Sequence, residues 1–352
     1  MAEFAADSRA TQARIDLLQA YFEKNVLANG QFICLAEKDC KESHQDLGPF
    51  YAGQLPHVGT HYDLMRNGAP FRIVVVGQEY GEGPELVDLN ARHTMIADGS
   101  GAKKRFFAEP DYPPRNPHMR GCTSVLRLLL GKEPGKDREG EFVQLDGAAI
   151  HLFDCFALVN FLLCSAVLPK EGKKGRSSST MHRNCARHFR EQIELLEPTV
   201  IVIQGVGVLK WMKNAGFSTL TDEMDQTAQI DGRITRVLAF THPAAHGKDN
   251  WGISHQTQYL RETLQPAVKQ VLRGWDALPG ATPEKGSNAR TQVEDTLGWK
   301  KGDPIRSVNL RCARCGYFAQ ASNQMLSRGR LRCPVDGELL ATKEERGEKK
   351  GR

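Results

Sequence analysis

The chain has 352 residues, 40% of them hydrophobic, with a net charge of +5. It can bury a sizeable core and carry an appendage besides, and the net charge alone decides little. The N-terminal stretch MAEFAADSRATQARIDLL has no signal-peptide core, and no apolar run approaches ~18 residues, so a cytoplasmic protein without membrane spans is expected. Nine cysteines in a reducing compartment argue against a disulfide framework and leave buried thiols, metal ligands or both.

Residues 8–28 read as a helix, with Ile15, Leu17, Leu18 and Tyr21 on one face. RIVVV at 72–76 is a fully buried strand, rich in β-branched residues and closed by Gly77. From 82 to 120 the chain is polar and rich in Gly, Pro and charge, which predicts a long loop. TSVLRLLLG at 123–131 reads as a helix with a glycine stop. The run AAIHLFDCFALVNFLL, 148–163, predicts a strand leading into a functional loop. A KEGKKGRSSST spacer precedes a helix at about 182–197, whose apolar face is Phe189, Ile193 and Leu196. TVIVIQG at 199–205 and RVLAFTHP at 236–243 are two more buried strands, and a helix at about 254–273 follows.

Strands that are apolar throughout and alternate with helices predict a three-layer α/β/α sandwich around a mainly parallel, four-stranded sheet. The main domain is expected over 1–274, a Gly-, Pro- and Ser-rich linker over 275–306, a small cysteine-containing module over 307–342 and a basic tail over 343–352. In such folds ligands sit outside the carboxyl ends of the strands. Here those ends read GQEYG, VNFLLC, QGVGV and THPAAHG. Basic runs at 103–105, 170–176 and the C-terminus are solvated loops or polyanion contacts.

GQEYG after one buried strand, VNFLLC after another and THP after a third, in that order, resemble the signatures of the uracil-DNA glycosylase superfamily. The similarity spans roughly residues 30–265. It is closest to the class that carries an iron–sulfur cluster, because CSAVLPKEGKKGRSSSTMHRNCARHF runs from cysteine through a polar spacer to a cysteine on a helix, ahead of P-x-V-I-V-x-x-G. The resemblance implies a hydrolase that flips uracil or a related deaminated base out of DNA in base-excision repair and breaks its bond to the sugar. The partner is then DNA, with no membrane, and the protein is monomeric.

Breaking an N-glycosidic bond develops positive charge on the sugar and negative charge on the leaving base. The resemblance places Glu79 where a carboxylate stabilises the cation and orients water, with Gln78 as the reserve. The cluster-bearing class has its carboxylate at the second motif position, held here by Gln78, and the best-known class has it at the third, held by Glu79. Asn160 falls where the superfamily reads the base edge, since an amide both donates and accepts. His242, before Pro243, matches the histidine that hydrogen-bonds the base carbonyl.

Gly77 and Gly81 let the backbone turn and approach the substrate. Gly81 also stands where the best-known class has a tyrosine that blocks the thymine methyl. His118 is the candidate to stack on the base, with Tyr80, Phe106 and Phe107 as others. The loop carrying His246, Lys248 and Trp251 is read as entering the duplex and clamping phosphates.

Cys164 and Cys185 match the second pair of the class's cluster ligands in context, and CLAEKDC offers Cys34 and Cys40 as the first pair. Five residues separate that first pair instead of two, which leaves Cys122 as an alternative. The implied [4Fe-4S] cluster is structural, because base excision has no redox step. Cys155, in an apolar run, reads as a buried small hydrophobe.

In the C-terminal module, Cys312 and Cys315 form a CxxC knuckle, and Cys333 begins CPVDG with Asp336 where a second knuckle would carry cysteine. Three thiolates and an aspartate can hold Zn2+, and the arginines around them fit a nucleic-acid or partner adaptor. The competing reading is a catalytically inactive superfamily scaffold that acts as a nucleic-acid-binding module. Hydrolysis of free nucleosides ranks below both.

Overall fold

The structure is a computed structural model, and it describes residues 3–44, 48–81, 83–84, 86–97, 115–168, 174–276, 307–312, 318–322 and 340–342. Two compact units emerge. The larger comprises Glu3–Met65 and Pro70–Lys269, and the smaller comprises Arg66–Ala69 and Gln270–Arg352.

The larger unit begins with helix α1 (Ser8–Asn25), whose first turn is capped by the Asp7 carboxylate accepting from the amides of Arg9 and Ala10. A short helix α2 (Glu37–Glu42) follows, with Cys40 on its buried side. The sheet then takes shape from β1 (His57–Val58), β2 (Ile73–Gly77), β3 (Phe156–Asn160), β5 (Val200–Gln204), β6 (Asp225–Ile230) and β7 (Arg233–Phe240). A separate strand, β4 (Ser165–Leu168), lies just beyond the end of β3.

The sheet is mixed and six-stranded, in the order β6-β7-β5-β2-β3-β1. Its four inner strands are parallel, and β6 and β1 pair antiparallel at the two edges. The expected four-stranded sheet is therefore the centre of a wider one. The edge strands escaped because they carry no long apolar run: β1 has two residues, and β6 reads DQTAQI with alternate residues buried.

All five residues of β2 and of β5 are buried. Val74, Val76, Ile201, Ile203, Ala157 and Val159 join one core cluster with Phe189, Ile193 and Leu196. Their strand neighbours Ile73, Val75, Val200 and Val202 are buried on the opposite face. Strands buried on both faces are the setting in which parallel pairing is found.

The helices are α3 (Leu89–Ala97), α4 (Pro117–Leu129), α5 (Ser179–Leu196), α6 (Val206–Asn214) and α7 (Gln265–Asp276). The presence of α3 corrects the expected long loop over 82–120, and α4 starts six residues before the predicted 123. Its start is set by Asn116, whose side chain accepts from the Met119 amide, with Pro117 in the first turn. The run 148–163 is also interrupted: one turn of 3-10 helix at Leu152–Asp154 separates strand Ala148–His151 from β3. The predicted helix at 254–273 enters through a π turn, Leu260–Leu264.

In the smaller unit, β8 (Ser307–Cys312) pairs antiparallel with β9 (Phe318–Ser322) on one side and β10 (Leu340–Thr342) on the other. Among the described residues no helix is long and apolar enough to cross a membrane.

Candidate active site

The register of the parallel strands brings their carboxyl ends level. Asn160 of β3 stands opposite Gly77 of β2, Ile203 of β5 opposite Val76, and Gln204 opposite Phe240 of β7. A cavity of about 260 Å³ opens there, lined by Gly77, Glu79, Tyr80, Asn160, His118 and Gln204 among others. Gly77 lets the Asn160 side chain come close: a Cβ there would come within 2.7 Å of Asn160 Oδ1 and make that side chain shift. Of the predicted residues, the structure thus collects Gly77, Glu79, Tyr80, His118 and Asn160 at one cavity. Gln78, Gly81, His242, His246 and Lys248 are not among its lining residues.

Glu79 is largely buried, and its two oxygens are held separately. Gln78 Nε2 donates to Oε1 at 3.2 Å, and the Ala166 amide donates to Oε2 at 3.3 Å. Burial raises the Glu79 pKa to about 7 against the downward pull of those two hydrogen bonds. The group is therefore poised between carboxylate and acid near neutrality. Gln78 turns away from the cavity, and its second hydrogen goes to Ser177 Oγ at 2.8 Å.

Asn160 lines the cavity, and its side-chain amide has no hydrogen-bond partner among the described residues, so its donor and acceptor are unused. Tyr80 is fixed by Arg92, whose guanidinium lies 3.7 Å above the ring centroid while it donates to Leu55 O and Gln54 Oε1.

His118 sits in the first turn of α4, and its Nδ1 lies 3.2 Å from Gln204 Oε1. Gln204 Nε2 donates to the His118 carbonyl, which fixes Oε1 as the atom facing the ring. The proton of neutral His118 is therefore on Nδ1, and Nε2 is left as an acceptor. His242 stands edge-on to this ring at 4.4 Å, with its Nδ1 accepting from the Ala244 amide. That assigns its proton to Nε2. Desolvation lowers both imidazoles, His242 to about 4 with help from the nearby His118, so both are neutral at pH 7. The imidazole in the cavity wall is His118; His242 packs edge-on against it without lining the cavity.

The loop after β7 is braced internally. Thr241 Oγ1 donates to Asp249 O at 2.7 Å, and Asn250 Nδ2 donates to Ala245 O at 2.8 Å. Trp251 is fully buried, donates from Nε1 to Thr241 O, and abuts Gly121 of α4. It is a structural anchor, which corrects its reading as a residue that enters a duplex. His246 and Lys248 are exposed on the same loop.

Arg115, Asn116 and Gln204 also line the cavity and were not singled out from the sequence; Cys122, read there as an alternative cluster ligand, lines it too. Arg115 is held bidentate by Glu141, with Nη2 to Oε2 at 2.6 Å, and His151 approaches the same carboxylate at 3.0 Å. Cys122 is fully buried and takes a hydrogen bond from Gln204 Nε2 at 3.3 Å. Gln204 did carry a signal: it is the one polar residue closing an otherwise apolar strand.

The four other cysteines singled out converge elsewhere, between α2, α5 and the end of β3. Cys40, Cys164 and Cys185 are buried in the core cluster, and Cys34 Sγ lies 3.7 Å from His188 Nε2. Burial raises the Cys164 thiol well above its ordinary value, and Cys185, Cys40 and Cys34 add to that electrostatically. Cys185 is pushed up to about 12 in the same way. Among the described residues no group of three or more such side chains is close enough to hold a single metal ion. A four-iron cubane spaces its thiolates wider than one ion does. Cys155 is buried, with its thiol directed at the His151 carbonyl. Phe106, Phe107, Cys315, Cys333 and Asp336 lie outside the described residues.

Neither a protein-family model nor a curated protein matches this chain.

Proposed function

We propose that this chain is a DNA glycosylase of the uracil-DNA glycosylase superfamily, hydrolysing the bond between deoxyribose and uracil, or a related deaminated base, flipped out of DNA. The observation that carries the reading is the meeting of Glu79, Asn160 and His118 around one cavity at the carboxyl ends of the parallel strands. An extruded base enters that cavity. Asn160, with an unused donor and acceptor, pairs with the imide edge of uracil and disfavours cytosine. Glu79 in its carboxylate form stabilises the sugar cation and orients the attacking water. Neutral His242, with its proton on Nε2, donates to the base oxygen that becomes anionic, and His118 forms the wall beside it.

Cys34, Cys40, Cys164 and Cys185 are the residues that would hold a [4Fe-4S] cluster. Four thiols whose charges are felt by one another in a largely apolar surround fit such a group, which would tie the N-terminal segment to the sheet. Cys312, Cys315, Cys333 and Asp336 are proposed to hold Zn2+ in the C-terminal module. The protein acts as a monomer on DNA.

One observation favours the second reading, a scaffold that binds nucleic acid without catalysis: His242 stands beside the cavity and not in its wall. Base release from oligonucleotides carrying single uracil, hypoxanthine or thymine-mismatch sites separates the two. Free base with an abasic product supports the glycosylase. Binding without release from any of the three replaces it with the scaffold.

A further inference from the structure

Glu79 lines the cavity, and its carboxylate is held by groups that do not. Two described stretches brace it: Ser165–Ala166, just past Cys164, and Ser177, just ahead of α5. Three hydrogen bonds join them to the first motif. The Ala166 amide donates to Glu79 Oε2 at 3.3 Å, Ser165 Oγ accepts from the Gly81 amide at 3.1 Å, and Ser177 Oγ accepts from Gln78 Nε2 at 2.8 Å.

Gln78 is the joint of this arrangement. Its two amide hydrogens go to Ser177 and, at 3.2 Å, to Glu79 Oε1. It thereby links the carboxylate to the residue that precedes Ser178, the N-cap of α5. Gly81 holds a φ of +87°, the left-handed conformation that turns its amide toward the buried Ser165 hydroxyl. The strand ladder continues into the same region, with Phe161 N on Gly77 O and Leu162 N on Gln78 O, both at 2.9 Å.

We propose that Gln78, Ser165 and Ser177 are positioning residues, which together with the Ala166 amide set the direction of the Glu79 carboxylate. The inference rests on the reading of Glu79 as the reacting carboxylate, and it gives Gln78 a supporting place in that reaction. A carboxylate with one N–H on each oxygen has a fixed plane, and a free rotor about its last bond would point into the cavity only part of the time. Loss of the Gln78 donor also removes one of the two bonds that oppose desolvation of Glu79. The other ionisable side chains lining the cavity are Tyr80, Arg115, His118 and Cys122.

The test uses the full-length chain with Gln78→Met, which keeps the volume and removes the donor, and Ser177→Ala, which removes only the outer acceptor. Base release from a single-uracil oligonucleotide is followed across pH 5–9. The titration of Glu79 is read in parallel by difference infrared spectroscopy against Glu79→Gln. In Gln78→Met kcat should fall about 10-fold with KM within about 2-fold, and the acid limb should move up by about one pH unit. Ser177→Ala should shift both in the same direction by less. Folded variants with wild-type kcat and an unmoved Glu79 titration would overturn the proposal. If the wild type releases no base, the reading of Glu79 as the reacting carboxylate falls and the positioning role in that reaction falls with it; the infrared titration then tells only whether Gln78 holds the carboxylate, raised if it does and unchanged if it does not.

Discussion

The cavity at the strand ends and the cysteine centre beside α5 are both buried gatherings of reactive side chains, but they are closed in opposite ways. At the cavity, the protein leaves polar groups unused: the Asn160 amide has no partner among the described residues, His118 keeps a bare Nε2, and Glu79 stays near the midpoint of its titration. At the cysteine centre, Cys40, Cys164 and Cys185 are packed into the core, and burial drives their thiol pKa values upward, while Cys34 lies half-buried beside His188. Unspent hydrogen-bonding capacity beside open space is costly unless a ligand or water takes it up. Thiols sealed in a core make sense as ligands of a resident group or as inert filling. On the proposed reading, the first region exchanges molecules and the second holds the chain together. Ser165 and Ala166 lie between them, one and two residues past Cys164 and bonded to the first motif.

The largest expected effect is on the cavity side. Glu79→Gln should reduce base release by about 10²- to 10⁴-fold while leaving the fold intact, since it removes the charge and keeps the shape. Single-turnover assays with excess enzyme give that number directly.

On the cysteine side, Cys185→Ser should act on stability first. If these thiols hold a cluster, the variant loses iron and about 3 kcal/mol of stability or more, read by iron analysis and denaturant melts. Retention of stability with no iron in the wild type would turn the centre back into ordinary buried thiols.

A third measurement sharpens the comparison through pH. The ordinary Glu79 value is 4.5 and the folded value is about 7. Below 4.5 both folded and unfolded chains carry the proton. Between 4.5 and 7 only the folded chain keeps it, so stability falls with rising pH across that window and then levels off. Glu79→Gln should remove this slope and stabilise the protein at pH 8 by about 1–3 kcal/mol. Activity should run the other way and rise through pH 7, because the proposed mechanism uses the carboxylate form.

The smallest effect is expected at the rim. Lys248 is exposed on the loop after β7. Lys248→Ala should weaken DNA binding uniformly across sequences and lower the salt slope by about one. An unchanged slope would remove that loop from the phosphate contacts.

The central strands were legible because runs such as RIVVV and TVIVIQG have no stable place except a sheet covered on both faces. Their glycine stops marked the strand ends, and Glu79 and Asn160 were singled out by the likeness of GQEYG and VNFLLC to known motifs. The edge strand Asp225–Ile230 was not legible, since only alternate residues are fully buried and its polar composition hides the alternation. Helix α3 was hidden by the polar character of the segment around it. Arg115 stayed hidden because its place depends on Glu141, 26 residues away in sequence, and no local pattern announces a buried ion pair. Trp251 was misassigned for a related reason: an aromatic in a Gly- and Pro-containing loop reads as exposed, while here the loop folds back and buries it against Gly121.

The most direct test of the account is the release of free uracil from a single-uracil oligonucleotide by the wild type beside Glu79→Gln and Asn160→Ala. The account predicts release by the wild type that collapses in Glu79→Gln and loses both rate and base selectivity in Asn160→Ala. Release that survives both substitutions would contradict the placement of the chemistry at this cavity, and no release from the wild type would contradict the glycosylase reading itself.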